Sequence, residues 1–204
     1  MEHRILEIVN VAASRRAVLR GVVGSAAALA LFHNLAFNES QALAADLKDD
    51  IDILNFALTL EHLEDRAYRD AIASGKLTGN ALEAARQYGR QEAEHVKLLT
   101  DAISGAGRMP VAEQATYKFP AFTDQAGIIG FLRVLEDVGV GAYTGAARFI
   151  QDKGILTVAG GIVQVEARHA AALRALDNKA PVYGALDSVL TPDQTLSLAG
   201  PLLA

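Results

Sequence analysis

The chain has 204 residues, of which 51% are hydrophobic, and this is enough to bury the core of one ordinary domain with some chain left over. The formal net charge of -5 and the lack of a basic patch in the body of the chain argue against nucleic acid as a partner. Because the chain contains no cysteine, disulfides, zinc–thiolate sites and thiol chemistry are excluded.

The first 44 residues have the pattern of a targeting segment. A basic stretch with paired arginines, residues 14–20, precedes a moderately apolar run, residues 21–32. The run is too short and too rich in alanine for a comfortable membrane span. Downstream, Ala42 and Ala44 supply the small-x-small pattern that signal peptidase reads. We therefore predict a signal peptide over residues 1–44.

The paired arginines, Arg15 and Arg16, resemble the twin-arginine export signal, although Val18 replaces its usual aromatic residue and Arg20 its usual lysine. The resemblance implies the twin-arginine export machinery as a partner and a periplasmic or extracellular location. Two alternatives stay open at this point. The segment could remain uncleaved and tether the protein to the membrane, or it could be a basic amphipathic helix of the domain itself.

From position 45 onward the hydrophobic residues follow a helical period, which predicts an all-α domain over residues 45–180. Each predicted helix is followed by glycine or proline, which are typical helix terminators. The predicted helices cover residues 46–74, 81–104, 123 or 124 to 152, and 156–178. Residues 181–204 are predicted to form a partly irregular tail with a short helix after Pro192.

The lengths of the connections predict the topology. The first two helices and the last two are joined by short links, so each pair should form an antiparallel hairpin. The middle link, residues 105–122, is much longer and could span roughly 55–60 Å if fully extended. That is enough to run the length of the bundle and to start the third helix at its far end. A four-helix bundle with one long crossover is the expected architecture.

Each predicted helix carries an ionisable residue on its apolar stripe. These residues are Glu61 on the first helix, Glu92 and His95 on the second, Glu136 on the third, and Glu166 and His169 on the fourth. Burial of a single carboxylate without a partner costs several kcal/mol. Four such carboxylates near the middle of a bundle therefore require cations to balance them.

The spacing of these residues indicates metal ions as the cations. Glu92-x-x-His95 and Glu166-x-x-His169 each place both side chains on one helix face. One glutamate from each of two helices, with Glu-x-x-His from each of the other two, is typical of di-iron and di-manganese carboxylate bundles. Carboxylate and imidazole ligands suit both metals. We predict two divalent metal ions, with iron favoured over manganese.

The candidate ligands belong to an internal repeat. The same residue types recur after 75 positions for Glu61 and Tyr68, as Glu136 and Tyr143, and after 74 positions for Glu92 and His95, as Glu166 and His169. Two hairpins with matching chemistry, related by a pseudo-twofold axis, would give each metal ion an equivalent half-site. A single Glu-x-x-His is a weak signal, but two within such a repeat are hard to obtain by accident.

The segment at residues 54–64 resembles the first helix of the exported branch of the ferritin-like superfamily, which includes the desiccation-related ferritin-like proteins. The resemblance covers roughly residues 46–180. By its matching positions it implies roles for all six residues. Glu61 and Glu136 would be terminal ligands, Glu92 and Glu166 would bridge the two ions, and His95 and His169 would each bind one ion.

Several nearby residues have competing interpretations. Glu64 lies about 60° from Glu61 around the helix and is an alternative or additional ligand, although the repeat favours Glu61. Glu94 and Asp137 point away from the apolar stripes and are predicted to be exposed to solvent. His62 is interpreted as a surface or interface histidine.

Tyr68 and Tyr143 are predicted to be core aromatics whose hydroxyls bond to carboxylates. A supporting role for both tyrosines in redox catalysis is the alternative.

The predicted function is that of a di-metal, carboxylate-bridged protein of the cell envelope that oxidises ferrous iron or reduces dioxygen or peroxide. As an enzyme it would be an oxidoreductase. The alternatives are a metal-binding protein without turnover and a structural or stress-protective bundle. The sequence leaves open the electron donor, homo-oligomer formation and the role of the tail.

Overall fold

The computed structural model describes residues 47–182 and 184–203, so the signal peptide predicted at residues 1–44 lies outside the described residues. The described chain is all-α, and four long helices pack in pairs as predicted. The elements are α1 Asp50–Ala73, α2 Gly79–Gly105, α3 Gln125–Ala146, a 3-10 turn Ala147–Phe149, α4 Lys153–Leu176, α5 Pro192–Ala199 and a second 3-10 turn Gly200–Leu202. Within the described residues, no helix combines the length and apolarity that membrane crossing requires.

Three of the long helices begin at aspartates that cap them. The side chains of Asp49, Asp124 and Asp152 each accept a hydrogen bond from a backbone N–H of the first turn. The third helix was expected to continue to Asp152, and this is wrong. The α-helix ends at Ala146, and Asp152 begins the next helix, so Gly154 lies inside the first turn of α4.

The long link between α2 and α3 runs alongside α1. Arg108, just after α2, pairs with Asp49 at the start of α1 at 2.9 Å. Farther along the link, Glu113 pairs with Arg69 near the end of α1. The link therefore travels the length of α1, as the crossover prediction requires.

The ends of α3 confirm the direction of the crossover. The backbone N–H of Thr78, in the turn after α1, donates to Oε1 of Gln125 at the start of α3 at 2.9 Å. At the other end of the bundle, Asp50 at the start of α1 accepts from the backbone N–H of Gln151 at 2.8 Å. The helix α3 is therefore antiparallel to α1, and each hairpin is antiparallel within itself.

Asp137 on α3 is buried, and the prediction that it is exposed is wrong. Arg174 on α4 donates to one of its oxygens, and Arg133 on α3 donates to the other at 3.3 Å. Arg133 also donates to Asp177 just after α4. A buried carboxylate with two arginine partners is well compensated. These contacts join α3 to α4 and involve none of the six candidate ligands. Glu94 is exposed as predicted.

The C-terminal tail packs along the bundle and contains the short helix predicted after Pro192. Its Leu190 donates a backbone hydrogen bond to the carbonyl of Gly141 at 2.9 Å. The glycine one turn later, Gly145, makes this approach possible, since a Cβ there would stand 1.7 Å from the carbonyl oxygen of Leu190. Farther along, the carbonyl of Leu202 accepts from the backbone N–H of Lys118 in the crossover at 2.8 Å.

We expect Gly145→Ala to displace the tail, because the new methyl group cannot coexist with the backbone of Leu190. The free energy of unfolding should fall by about 1–3 kcal/mol, the usual cost of overpacking. Gly130→Ala on the same helix is the matched control, since nothing lies within 4 Å of its Cβ position. Urea denaturation and limited proteolysis of the tail would measure both variants. Equal behaviour of the two variants would show that the Gly145 contact does not hold the tail.

Candidate metal centre

The structure brings together all six residues that the sequence predicted as ligands, and it buries them almost completely. The four glutamates, Glu61, Glu92, Glu136 and Glu166, have 0% of their surface exposed, while His95 has 5% and His169 has 2%. Each helix contributes from its middle, between an apolar cluster around Leu58 and Leu99 and a larger one around Leu63 and Leu132.

The six residues form two groups of four that share two members. In each group, one potential ligand atom of every member lies within 4.8 Å of the others. The first group comprises Glu61, Glu92, His95 and Glu166, and the second group comprises Glu92, Glu136, Glu166 and His169. Each group thus has one histidine, one glutamate of its own and the two shared glutamates, as a pseudo-twofold arrangement requires.

The shared glutamate Glu92 divides its two oxygens between the groups. Its Oε2 lies 2.9 Å from Nδ1 of His95, and its Oε1 lies 2.8 Å from Nδ1 of His169. Glu166 places Oε1 3.0 Å from Nδ1 of His95. The unshared carboxylates approach one histidine each, Glu61 at 3.2 Å from His95 and Glu136 at 3.4 Å from His169. A carboxylate that faces two groups at once is suited to bridge two ions.

Most of these oxygens converge on a histidine nitrogen that cannot serve all of them. An Nδ1–H donates one hydrogen bond, yet Nδ1 of His95 faces three carboxylate oxygens and Nδ1 of His169 faces two. Within the described residues, the buried oxygens left without a hydrogen bond include Glu61 Oε2, Glu136 Oε2 and both carboxylate oxygens of Glu166. Unsatisfied buried acceptors are costly, and each one in a native structure requires an explanation. A divalent cation in each group would satisfy them, so the donor set fits two ions that prefer oxygen and imidazole ligands.

Two tyrosines hold the unshared glutamates. The hydroxyl of Tyr143 donates to Oε1 of Glu61 at 2.5 Å, and the hydroxyl of Tyr68 donates to Oε1 of Glu136. Each bond crosses from one hairpin to the other. Because one oxygen of each glutamate is held by a tyrosine, the other oxygen is directed into its group.

Two supporting residues were missed by the sequence analysis. Oε1 of Gln91 accepts a hydrogen bond from Nε2 of His169 at 2.7 Å, which leaves Nδ1 directed at the carboxylates. The ring of Tyr88 stacks on His169 with centroids 4.3 Å apart. Gln91 lies at the edge of the apolar stripe of α2, four residues before His95, and its role is recognised from its contact with His169 on α4.

Glu64, the alternative ligand, is also buried, with 3% of its surface exposed. It belongs to neither group of four, whereas Glu61 belongs to the first group. His62 is only partly buried, and one of its ring nitrogens lies 3.2 Å from the carbonyl of Val111 in the crossover.

The profile of the ferritin-like domain family matches residues 49–179, well over half of the chain. The chain belongs to the ferritin-like family. The match begins just before α1 and ends just after α4, so it covers all six candidate ligands of the ferritin-like bundle. No curated protein gives a significant match to this sequence.

The ferritin-like centre holds its protons tightly. Burial raises the pKa of Glu92 to about 7, and repulsion from Glu166 adds to the rise. Burial lowers the pKa of His95, but its hydrogen bonds to carboxylates outweigh burial and raise the pKa to about 12. The same balance raises the pKa of His169 to about 10. The buried carboxylates need positive charge, which either protons or metal ions can supply.

We expect the stability of the metal-free protein to fall as pH rises from about 5 to about 9. The folded state binds more protons than the unfolded chain in this window, because the pKa values of Glu92 and of both histidines are raised. Thermal unfolding at a series of pH values would measure the trend. If the metal-free protein becomes more stable across this window, the folded state does not bind the additional protons that the raised pKa values predict.

Metal ions should reverse the trend, since they replace protons and bind better as pH rises. At a free Mn²⁺ concentration 100 times its dissociation constant, we expect Tm to rise by roughly 5–10 °C. The rise should be larger at pH 8 than at pH 6.

Proposed function

We propose that this ferritin-like protein binds two divalent metal ions, with iron favoured over manganese, and uses them in redox chemistry. Glu61 and His95 would hold one ion, and Glu136 and His169 the other. The shared glutamates, Glu92 and Glu166, would bridge the two ions, as the family resemblance implies. The observation that carries this proposal is the division of the two oxygens of Glu92 between the two groups.

Bound ferrous ions would supply electrons for the reduction of dioxygen or peroxide, and their own oxidation is the accompanying reaction. The protein contributes a site whose four glutamates are wholly shielded from water. The bonds from Tyr68 and Tyr143 keep the carboxylates from rotating. Gln91 holds the ring of His169 in the orientation that presents Nδ1.

We further propose that the protein works in the cell envelope. This part of the proposal rests on the twin-arginine pattern in residues 1–44 and on the resemblance to the exported branch of the superfamily. Fractionation of cells that produce the full chain, compared with a variant that has lysines at Arg15 and Arg16, would test it. Equal amounts of both proteins outside the cytoplasm would contradict it.

The metal site is tested by the double variant Glu92→Gln, Glu166→Gln. Amides cannot bridge two cations as carboxylates do, so we expect about two ions per chain in the unmodified protein and almost none in the variant. Elemental analysis after anaerobic loading with Fe²⁺ would measure both. Because the substitutions preserve side-chain volume and remove buried like charges, the metal-free variant should melt no lower than the unmodified protein. Glu94→Gln, at an exposed neighbour on the same helix, is the matched control.

Redox activity is tested by adding Fe²⁺ to the protein under air or with peroxide. We expect consumption of the oxidant that is faster than in buffer and that the double variant has lost, as measured with an oxygen electrode and by ferric absorption. Two bound ions without oxidant consumption would favour a non-catalytic metal-binding role. No stoichiometric metal would favour a structural or stress-protective bundle.

A further inference from the structure

The internal repeat that relates the two hairpins is broken at one position next to the six candidate ligands. Glu61 and Tyr68 on α1 recur 75 positions later on α3 as Glu136 and Tyr143. Between them, the position equivalent to Glu64 is a glycine, Gly139. One half of the centre therefore carries a carboxylate where the other half carries no side chain.

Glu64 is buried among acids. It is 3% exposed, and its Oε2 has no hydrogen bond within the described residues. The charged groups that act on it most strongly are the four other central glutamates. The small cavity beside it is otherwise lined by apolar side chains of α1, α3 and α5, such as Leu63, Val138 and Leu198. Among the described residues, the charged groups near its carboxylate are therefore those of the candidate metal centre.

Gly139 provides the room for this carboxylate. A Cβ at Gly139 would stand 2.8 Å from Oε1 of Glu64 and 3.3 Å from Oε2 of Glu166. Both oxygens thus lie close to one point on α3, where an alanine would crowd them. The carboxylate of Glu64 on α1 therefore depends on the absence of a side chain at Gly139 on α3.

The position of Glu64 relative to Glu166 indicates which group it joins. Oε1 of Glu166 faces His95 of the first group at 3.0 Å. The opposite oxygen, Oε2, is the one that borders the space at Gly139 together with Oε1 of Glu64. If Glu166 divides its oxygens between the groups as Glu92 does, Oε2 belongs to the second group. Glu64 therefore reaches across from α1 toward the ion of the other hairpin.

We propose that Glu64 is a seventh ligand, which binds the ion of the second group together with Glu92, Glu136, Glu166 and His169. This inference rests on the proposed di-metal function. It makes the two metal positions unequal, with three carboxylates around the first ion and four around the second. The second position should bind a divalent ion more tightly, and the centre should fill in two steps.

The test is an anaerobic titration of the full chain with Co²⁺, whose visible absorption reports the number and type of its ligands. We expect two binding steps in the unmodified protein. Glu64→Gln should weaken one of them by about tenfold or more, leave the other unchanged and alter the cobalt spectrum of the weakened position. Glu61→Gln should weaken the other step instead, and Glu94→Gln should leave both unchanged.

A double-mutant cycle links Glu64 to Gly139. Gly139→Ala should weaken the same step as Glu64→Gln, because its methyl group would displace the Glu64 carboxylate. In the Glu64→Gln background the same substitution should have much less effect. The melting temperature of metal-free Glu64→Gln should be no lower than that of the unmodified protein, since one buried like charge is gone.

The outcomes separate the two proposals. If Glu64→Gln binds two cobalt ions with unchanged affinities and an unchanged spectrum, Glu64 is not a ligand and this inference is overturned, while the di-metal function stands. If the unmodified protein binds no cobalt, the di-metal function fails and the role of Glu64 fails with it.

Discussion

The burial of like charges in a low-dielectric core is the constraint on which the rest of this structure depends. Five carboxylates, those of Glu61, Glu64, Glu92, Glu136 and Glu166, lie together and are almost wholly shielded from water. Their mutual repulsion and lost hydration destabilise the fold unless positive charge is brought among them. Two histidines, and in our proposal two metal ions, provide that charge. The nearby tyrosines and the glutamine orient the groups that receive it.

The topology of the bundle is what makes such a cluster possible. Each hairpin supplies one Glu-x-x-His pair and one further glutamate, and the long crossover allows the hairpins to face each other with α3 antiparallel to α1. The bonds from Tyr68 and Tyr143 run between hairpins. The centre therefore exists only when both halves are docked, so folding and metal binding should be coupled.

The pseudo-twofold symmetry is incomplete, and the positions that differ lie beside the candidate ligands. Beyond the exchange of Glu64 for Gly139, the supports of His169 have no counterparts at His95. The positions 74 residues after Tyr88 and Gln91 are Ile162 and Val165. In our proposal, the second metal position therefore has both the oriented histidine and the additional carboxylate.

Periodicity determined the four helices, the crossover and the six central residues, because the face that a residue occupies on its own helix depends only on local spacing. Contacts between helices depend on docking, which spacing does not encode. The burial of Asp137 follows from Arg174, 37 positions away, and the support of His169 follows from Gln91, 78 positions away. The position of the Glu64 carboxylate likewise depends on α3, because the carboxylate occupies space that a side chain at Gly139 would fill.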